Sequence, residues 1–187
     1  MSNRFEVQDT PIKDLRVLVR KPVGDHRGYL ERMFCAAELE SVMVDRSLVQ
    51  INYTVTAQKG TVRGMHFQHP PHAEMKLISC RGGEIFDVAV DLRKGSPTFL
   101  QWHGEALSAE NHKTMVVPEG FAHGFQALTD DCEMLYLHTE FYSPGHEDGI
   151  NCSSPAVGVK WPLPVTEMSE RDRSLPAVDG SFRGIEL

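Results

Sequence analysis

Residues 59–76, KGTVRGMHFQHPPHAEMK, place His66, His69 and His72 between Arg63 and Lys76. Two chemistries use such residues. Histidines that converge on one point can hold a metal ion, whereas a single imidazole beside cations can take a proton while the cations hold an anion. The H-x-x-H-x-x-H spacing counts against the metal. In a strand, positions i and i+3 point to opposite faces, so His66 and His69 diverge unless the strand bends. Pro70 and Pro71 end that strand, which leaves His69 and His72 as exposed turn residues. The proton-transfer reading has its own demand. Arg63 and His66 have opposite strand parity and reach one pocket only if Gly64 permits a bulge. Further along, His123 shares parity with Phe121 and Phe125 and so faces an interior or a pocket. A hydrogen-bonded core histidine would show the same pattern. Tyr136 and His138 alternate with Leu135 and Leu137; Tyr136 could equally be a lining aromatic with a satisfied hydroxyl.

The elements that must position these residues are strands. In EIFDVAVDL (84–92), Phe86, Val88, Val90 and Leu92 share one face, and Ile85, Asp87, Ala89 and Asp91 the other. This is the period of a half-buried strand. EMLYLHTEFY (133–142) alternates likewise through Phe141, and LRVLV, LVQINYTVT, MKLISC, TFLQWHGEAL and MVVP read as further strands. GDHRG, RGG, RKGSP, TDD and SPGHEDG supply the turns. Only CAAELESVM (35–43) reads as a helix in the first half. Strands at roughly ten-residue spacing imply a sandwich or barrel. One domain over 1–187 is expected, with an irregular carboxy-terminal segment from about 162 that holds one helical turn. Hydrophobic content of 41% and charged content of 24% are those of an ordinary globular chain. A net charge of -7 argues against nucleic acid as partner but allows an anionic small molecule where arginines concentrate. Four scattered cysteines read as free thiols, no apolar run approaches a membrane span, and a cytoplasmic location is expected.

The ordered set QIN (50–52), KGTVRGMHFQ (59–68), KLISCRGGEIFDVAVDLRKGSPTF (76–99), LSAEN (107–111), VPEGFAHGF (117–125), LYLHTEFYSP (135–144), VKWP (159–162) and SERD (169–172) resembles the dTDP-4-dehydrorhamnose 3,5-epimerases. The resemblance covers about residues 10–176. It implies an all-β, cupin-type double-stranded β-helix (jelly-roll) barrel with short peripheral helices, dimerised through exchanged strands, with no metal and no cofactor. It also implies a nucleotide-diphosphate sugar as substrate. By motif, His66 would be the general base, Asp172 its carboxylate partner and Tyr136 the general acid. Lys76 and His123 would contact the sugar and its carbonyl. Arg27, Gln50, Asn52, Arg63, Glu147 and Arg171 match nucleotide or diphosphate contacts. Asp172 by itself would read as a surface residue of SERDR. Three departures from the family pattern concern the substrate's surroundings. One extra residue lies between Gln50 and His66, RGYLER puts Glu31 and Arg32 where a single Glu is usual, and NCSSP (151–155) replaces a tryptophan-containing segment. Residue 137 is Leu where a Lys is common, a neutral change by this reading.

Overall fold

The computed structural model describes residues 3–187 and folds them into two facing antiparallel sheets. Six strands form one sheet, in the order β1 (Phe5–Asp9), β2 (Arg16–Arg20), β10 (Lys113–Val117), β7 (Lys76–Gly82), β12 (Cys132–His138) and β5 (Gln50–Thr56). Five form the other, in the order β13 (Glu147–Gly149), β6 (Val62–Gln68), β11 (Phe121–Ala127), β8 (Glu84–Asp91) and β9 (Trp102–Ser108). A small hairpin, β3 (Val23–Asp25) with β4 (Gly28–Leu30), stands apart from both. The helices are α1 (Glu40–Met43) and α2 (Glu170–Ser174). This is the all-β jelly roll with short peripheral helices that the strand pattern and the resemblance imply.

Between the sheets lies a core of inward-facing residues that includes Ile78, Cys80, Ile85, Ala89, Leu107, Phe121, Phe125 and Met134. Full burial of each large apolar side chain here contributes roughly 1.5–3 kcal/mol. The outer faces are covered as well. Val62, Met65, Phe67, Val88, Val90 and Leu92 pack beneath Ile150, Cys152, Val178 and Ile185 from the carboxy-terminal segment. Leu77, Val116 and Leu137 pack beneath Phe5, Leu39, Val42 and Met43. The expectation of a half-buried strand at 84–92 is therefore corrected. Both faces of β8 are buried, because the apolar Val88 face lies under the carboxy-terminal segment and the Asp87 face, expected in solvent, turns into the barrel.

Other boundaries differ too. The 35–43 helix contracts to α1, since residues 36–38 form a turn before it. The strand at 133–142 ends at His138, and Phe141 is exposed rather than part of an apolar face. No strand follows β13, so the irregular segment begins at Ile150, before the break expected near 162. All four cysteines are free, as expected. Among the described residues no helix is long and apolar enough to cross a membrane.

Candidate active site

One parity change builds the site. Val62, Met65 and Phe67 of β6 point outward into the carboxy-terminal layer. Strict alternation would then send Arg63 and His66 to opposite faces. Opposite β11, however, His123 pairs with His66 and Phe125 with Arg63, so β6 carries one extra residue between them. Gly64 is that bulge, at φ +127°, and a Cβ there would meet the Gly124 Cα at 2.5 Å. The bulge anticipated from the sequence turns Arg63 and His66 to the same, inner face. Both line a cavity of about 250 Å³ at one end of the barrel.

His66 is held by a residue distant in sequence. Its Nε2 lies 2.7 Å from Asp172 Oδ1, while Asp172 Oδ2 accepts from the Gly64 N–H at 3.1 Å. Asp172 sits in α2, whose N-cap Ser169 accepts the Asp172 N–H at 3.0 Å. At 4% exposure Asp172 is not the surface residue that SERDR by itself suggests. Burial pushes its carboxyl up, but the bonds from His66 and Gly64 outweigh it and hold the group below the ordinary 3.8. His69 and His72 take other partners, with carboxylate oxygens of Asp148 at 3.0 Å and Glu140 at 3.7 Å. His69 is exposed, whereas His72 is half-buried against His146. The three histidines of the opening motif diverge.

The facing sheet supplies the other half of the site. Gln50, Asn52 and Thr54 of β5, Lys76 of β7, and Tyr136 and His138 of β12 all line the cavity. Burial, reinforced by the Asp87 carboxylate, pushes the Tyr136 phenol well above its ordinary range, so Tyr136 keeps its proton. His123 meets the Tyr136 ring edge-on at 6.0 Å, and its Nε2 lies 2.7 Å from Asp87 Oδ1. Asp87 is fully buried and its Oδ2 has no partner. Desolvation pushes the Asp87 carboxyl up, against the pull of His123 and Lys76. Glu74 accepts from Lys76 Nζ at 3.1 Å through one oxygen and lies 2.7 Å from His138 Nδ1 through the other.

At the rim, Arg171 pairs with Glu147 at 2.9 Å, and the Tyr142 hydroxyl donates to the same carboxylate at 2.8 Å. Gln50 Oε1 accepts from the Tyr142 N–H, and Gln50 Nε2 donates to Asn52. Arg63 donates only to Thr56 Oγ1, at 3.3 Å, and has no carboxylate partner among the described residues. A second hollow, of about 420 Å³, adjoins the first and shares Arg63 and His66 with it. Arg171 and Asp172 line only this second hollow.

Arg27 is the one expected contact that the structure does not bring to either hollow. It sits at the exposed turn of the β3–β4 hairpin, paired with Asp25 at 2.6 Å. Nor do Glu31 and Arg32 reach the cavity. Glu31 is buried among Arg20, Arg81 and His112, and Arg32 pairs with Glu38. Sequence reasoning missed Asp87, Glu74, Thr54 and Tyr142. A charged residue on the inward parity between Ile85 and Ala89 was a usable signal for Asp87. Glu74 lies in irregular chain just before β7 and gave none.

This arrangement offers a histidine on one sheet held by the α2 carboxylate, a protonated phenol and a lysine on the other, and beside the histidine an arginine with no carboxylate partner among the described residues. That is equipment for moving protons on a bound anion. The family model described as dTDP-4-dehydrorhamnose 3,5-epimerase matches residues 9–179. The Salmonella typhimurium dTDP-4-dehydrorhamnose 3,5-epimerase is 42% identical over 172 residues, 91% of this chain and 93% of its own. The crystal structure of the Bacillus anthracis enzyme, with TDP and PPi bound, superimposes with a TM-score of 0.89 at 41% identity, covering 93% of this chain and 99% of its own. The Legionella pneumophila dTDP-6-deoxy-D-glucose-3,5-epimerase, in complex with dTDP-4-keto-L-rhamnose, gives 0.89 at 36% identity, covering 97% and 98%. With dyad, phenol and lysine assembled on the motifs that carry the resemblance, this chain belongs to the dTDP-4-dehydrorhamnose 3,5-epimerase family.

Proposed function

We propose that this chain converts dTDP-4-dehydro-6-deoxy-D-glucose into dTDP-4-dehydro-L-rhamnose by inverting C5 and C3 through proton transfer. The observation that carries this reading is the placement of His66, held by Asp172, and the protonated Tyr136 on opposing sheets across one cavity. The C3 and C5 protons are both alpha to the C4 carbonyl and lie axial on one side of the gluco ring. A single base can remove each in turn, and His66 is that base. Asp172 stabilises the imidazolium that forms and fixes the ring's orientation. Each removal leaves an enolate whose charge develops on the carbonyl oxygen, where Lys76 supplies a cation. Tyr136 then delivers a proton to the opposite face, which inverts the centre.

The nucleotide diphosphate lies at the rim. Arg63 is suited to it, being a guanidinium free of any carboxylate. We assign Arg27 a role there through a homodimer. β5 is an edge strand whose outward residues Ile51, Tyr53 and Val55 are 64%, 56% and 53% exposed. Such an apolar edge calls for a partner. A second copy that covers it with its β3–β4 hairpin would carry Arg27 toward the neighbouring site.

Heavy water tests the chemistry. Turnover of the 4-keto-6-deoxyglucose nucleotide should load deuterium at both C3 and C5, and His66→Ala should abolish both. Tyr136→Phe should leave exchange but cripple inversion, because His66 returns a proton only to the side it came from. Deuterium at C3 alone would replace this reading with a single-centre epimerase. No exchange in a protein that still binds dTDP would replace it with a nucleotide-sugar-binding protein.

A further inference from the structure

The proton transfers above use His66, and the resemblance gives His123 a contact with the sugar, yet a third imidazole lines the same cavity. His138 has a side chain only 10% exposed and stands directly across from Lys76 in the β12–β7 register. We infer that His138 is a further substrate-contacting residue, whose Nε2 accepts a hydrogen bond from a ring hydroxyl of the 4-keto sugar and so helps set which sugars the cavity takes. This rests on the epimerase reading.

The geometry leaves His138 little other use. Its Nδ1 lies 2.7 Å from Glu74 Oε2, and Glu74 also accepts from Lys76. An ionised carboxylate has only acceptors to offer, so Nδ1 must carry the hydrogen in that bond. In the neutral ring Nε2 is then a lone pair. Its nearest partner is Asn52 Nδ2 at 3.4 Å, longer than an ordinary N–H bond. The ring cannot turn away to find a better one. It is stacked on Tyr136 with centroids 6.0 Å apart and planes at 18°, and is tethered at Nδ1. A histidine that served only the core would have both nitrogens satisfied and no cavity in front of it. Most of the charged and amide groups around it, Arg63, Lys76 and the Asn52 amide, are donors. A hydroxylated sugar also brings donors of its own, and the fixed lone pair of His138 is an acceptor matched to one of them.

The alternative is that His138 only steadies Glu74 and, through it, Lys76. The test separates these roles by removing the hydroxyl instead of the residue. Wild type, His138→Phe and His138→Gln would be assayed for deuterium uptake at C5 with the parent sugar nucleotide and with its 2-deoxy and 3-deoxy analogues. Phenylalanine keeps the stacked ring but removes the acceptor, so kcat/KM on the parent should fall about 10- to 100-fold, the usual range for leaving a buried polar group unpaired. On one of the two analogues wild type and His138→Phe should come within about 3-fold, as a lost partner predicts. His138→Gln, whose amide oxygen can occupy the Nε2 position, should recover most of the parent rate. If the phenylalanine variant does not fold, His138→Ala carries the same comparison. Equal losses on all three sugars, or no loss on any, would overturn the assignment. Absence of exchange by wild type on the parent sugar would instead overturn the epimerase reading, and it is seen before any variant is made.

Discussion

At the scale of single residues, the site depends on carboxylates that set what neighbouring groups can do. Asp172 is ionised and its carboxylate is bonded to both His66 and the Gly64 N–H, so it orients His66 and offsets the charge His66 gains. Asp172→Asn keeps the shape but cannot stabilise an imidazolium, and kcat should fall by about 10²–10⁴-fold, the usual range for general acid–base catalysis. Steady-state kinetics, with circular dichroism to confirm folding, would check this. The same residue makes a pH prediction. Its carboxyl lies below the ordinary 3.8 in the folded chain, so the stability it contributes is fully present above that value. That stability is lost as pH falls through the lower folded value. The gap in denaturant midpoint between wild type and Asp172→Asn should therefore be constant near neutrality and close only below pH 3.8. A gap that closed well above pH 3.8 would overturn this assignment.

At the scale of elements, the site depends on one extra residue in β6. The bulge at Gly64 places Arg63 and His66 on one face, and it requires both a positive φ and the near-contact of two glycine backbones. Gly64→Ala would add strain and a clash with Gly124, each worth about 1–3 kcal/mol. Urea unfolding should show a loss of that order, with activity reduced further because Arg63 and His66 no longer share a pocket. The helix that holds Asp172 has five residues and could not persist alone. Its Ser169 cap therefore matters to catalysis as well as to stability. Ser169→Ala should cost about 0.5–2 kcal/mol and lower kcat, measurable by urea unfolding and steady-state kinetics.

At the scale of the whole molecule, the barrel has an uncovered edge at β5. Ile51, Tyr53 and Val55 form an exposed apolar row beside an unpaired edge. Light scattering should give twice the 21.0 kDa chain mass at micromolar concentration. Ile51→Glu with Tyr53→Lys should shift the protein toward monomer. If Arg27 reaches a neighbouring site, that variant should also bind dTDP more weakly, although none of its changed side chains points into its own cavity. A monomer with unchanged dTDP affinity would remove Arg27 from the site.

Alternation and turn residues determined the barrel, because the period-two pattern of β7, β8, β11 and β12 can bury its apolar residues only in a sheet. The ordered motifs carried His66, Tyr136, Lys76 and Arg63. Parity alone put His123 on an inward face, and it identified Gly64 as the residue that must bulge. Other features were decided only by tertiary structure. Nothing in SERDR marks Asp172 as buried; it becomes so because the carboxy-terminal segment crosses β6 and sets α2 against Gly64 and His66. The same crossing buries the outer, apolar face of β8, while the Asp87 face that local alternation reads as solvated turns into the barrel. Glu74 joins Lys76 to His138 only when β7 and β12 pair in register. A strand pattern records which way a side chain points, but what it meets there depends on segments far away in the chain.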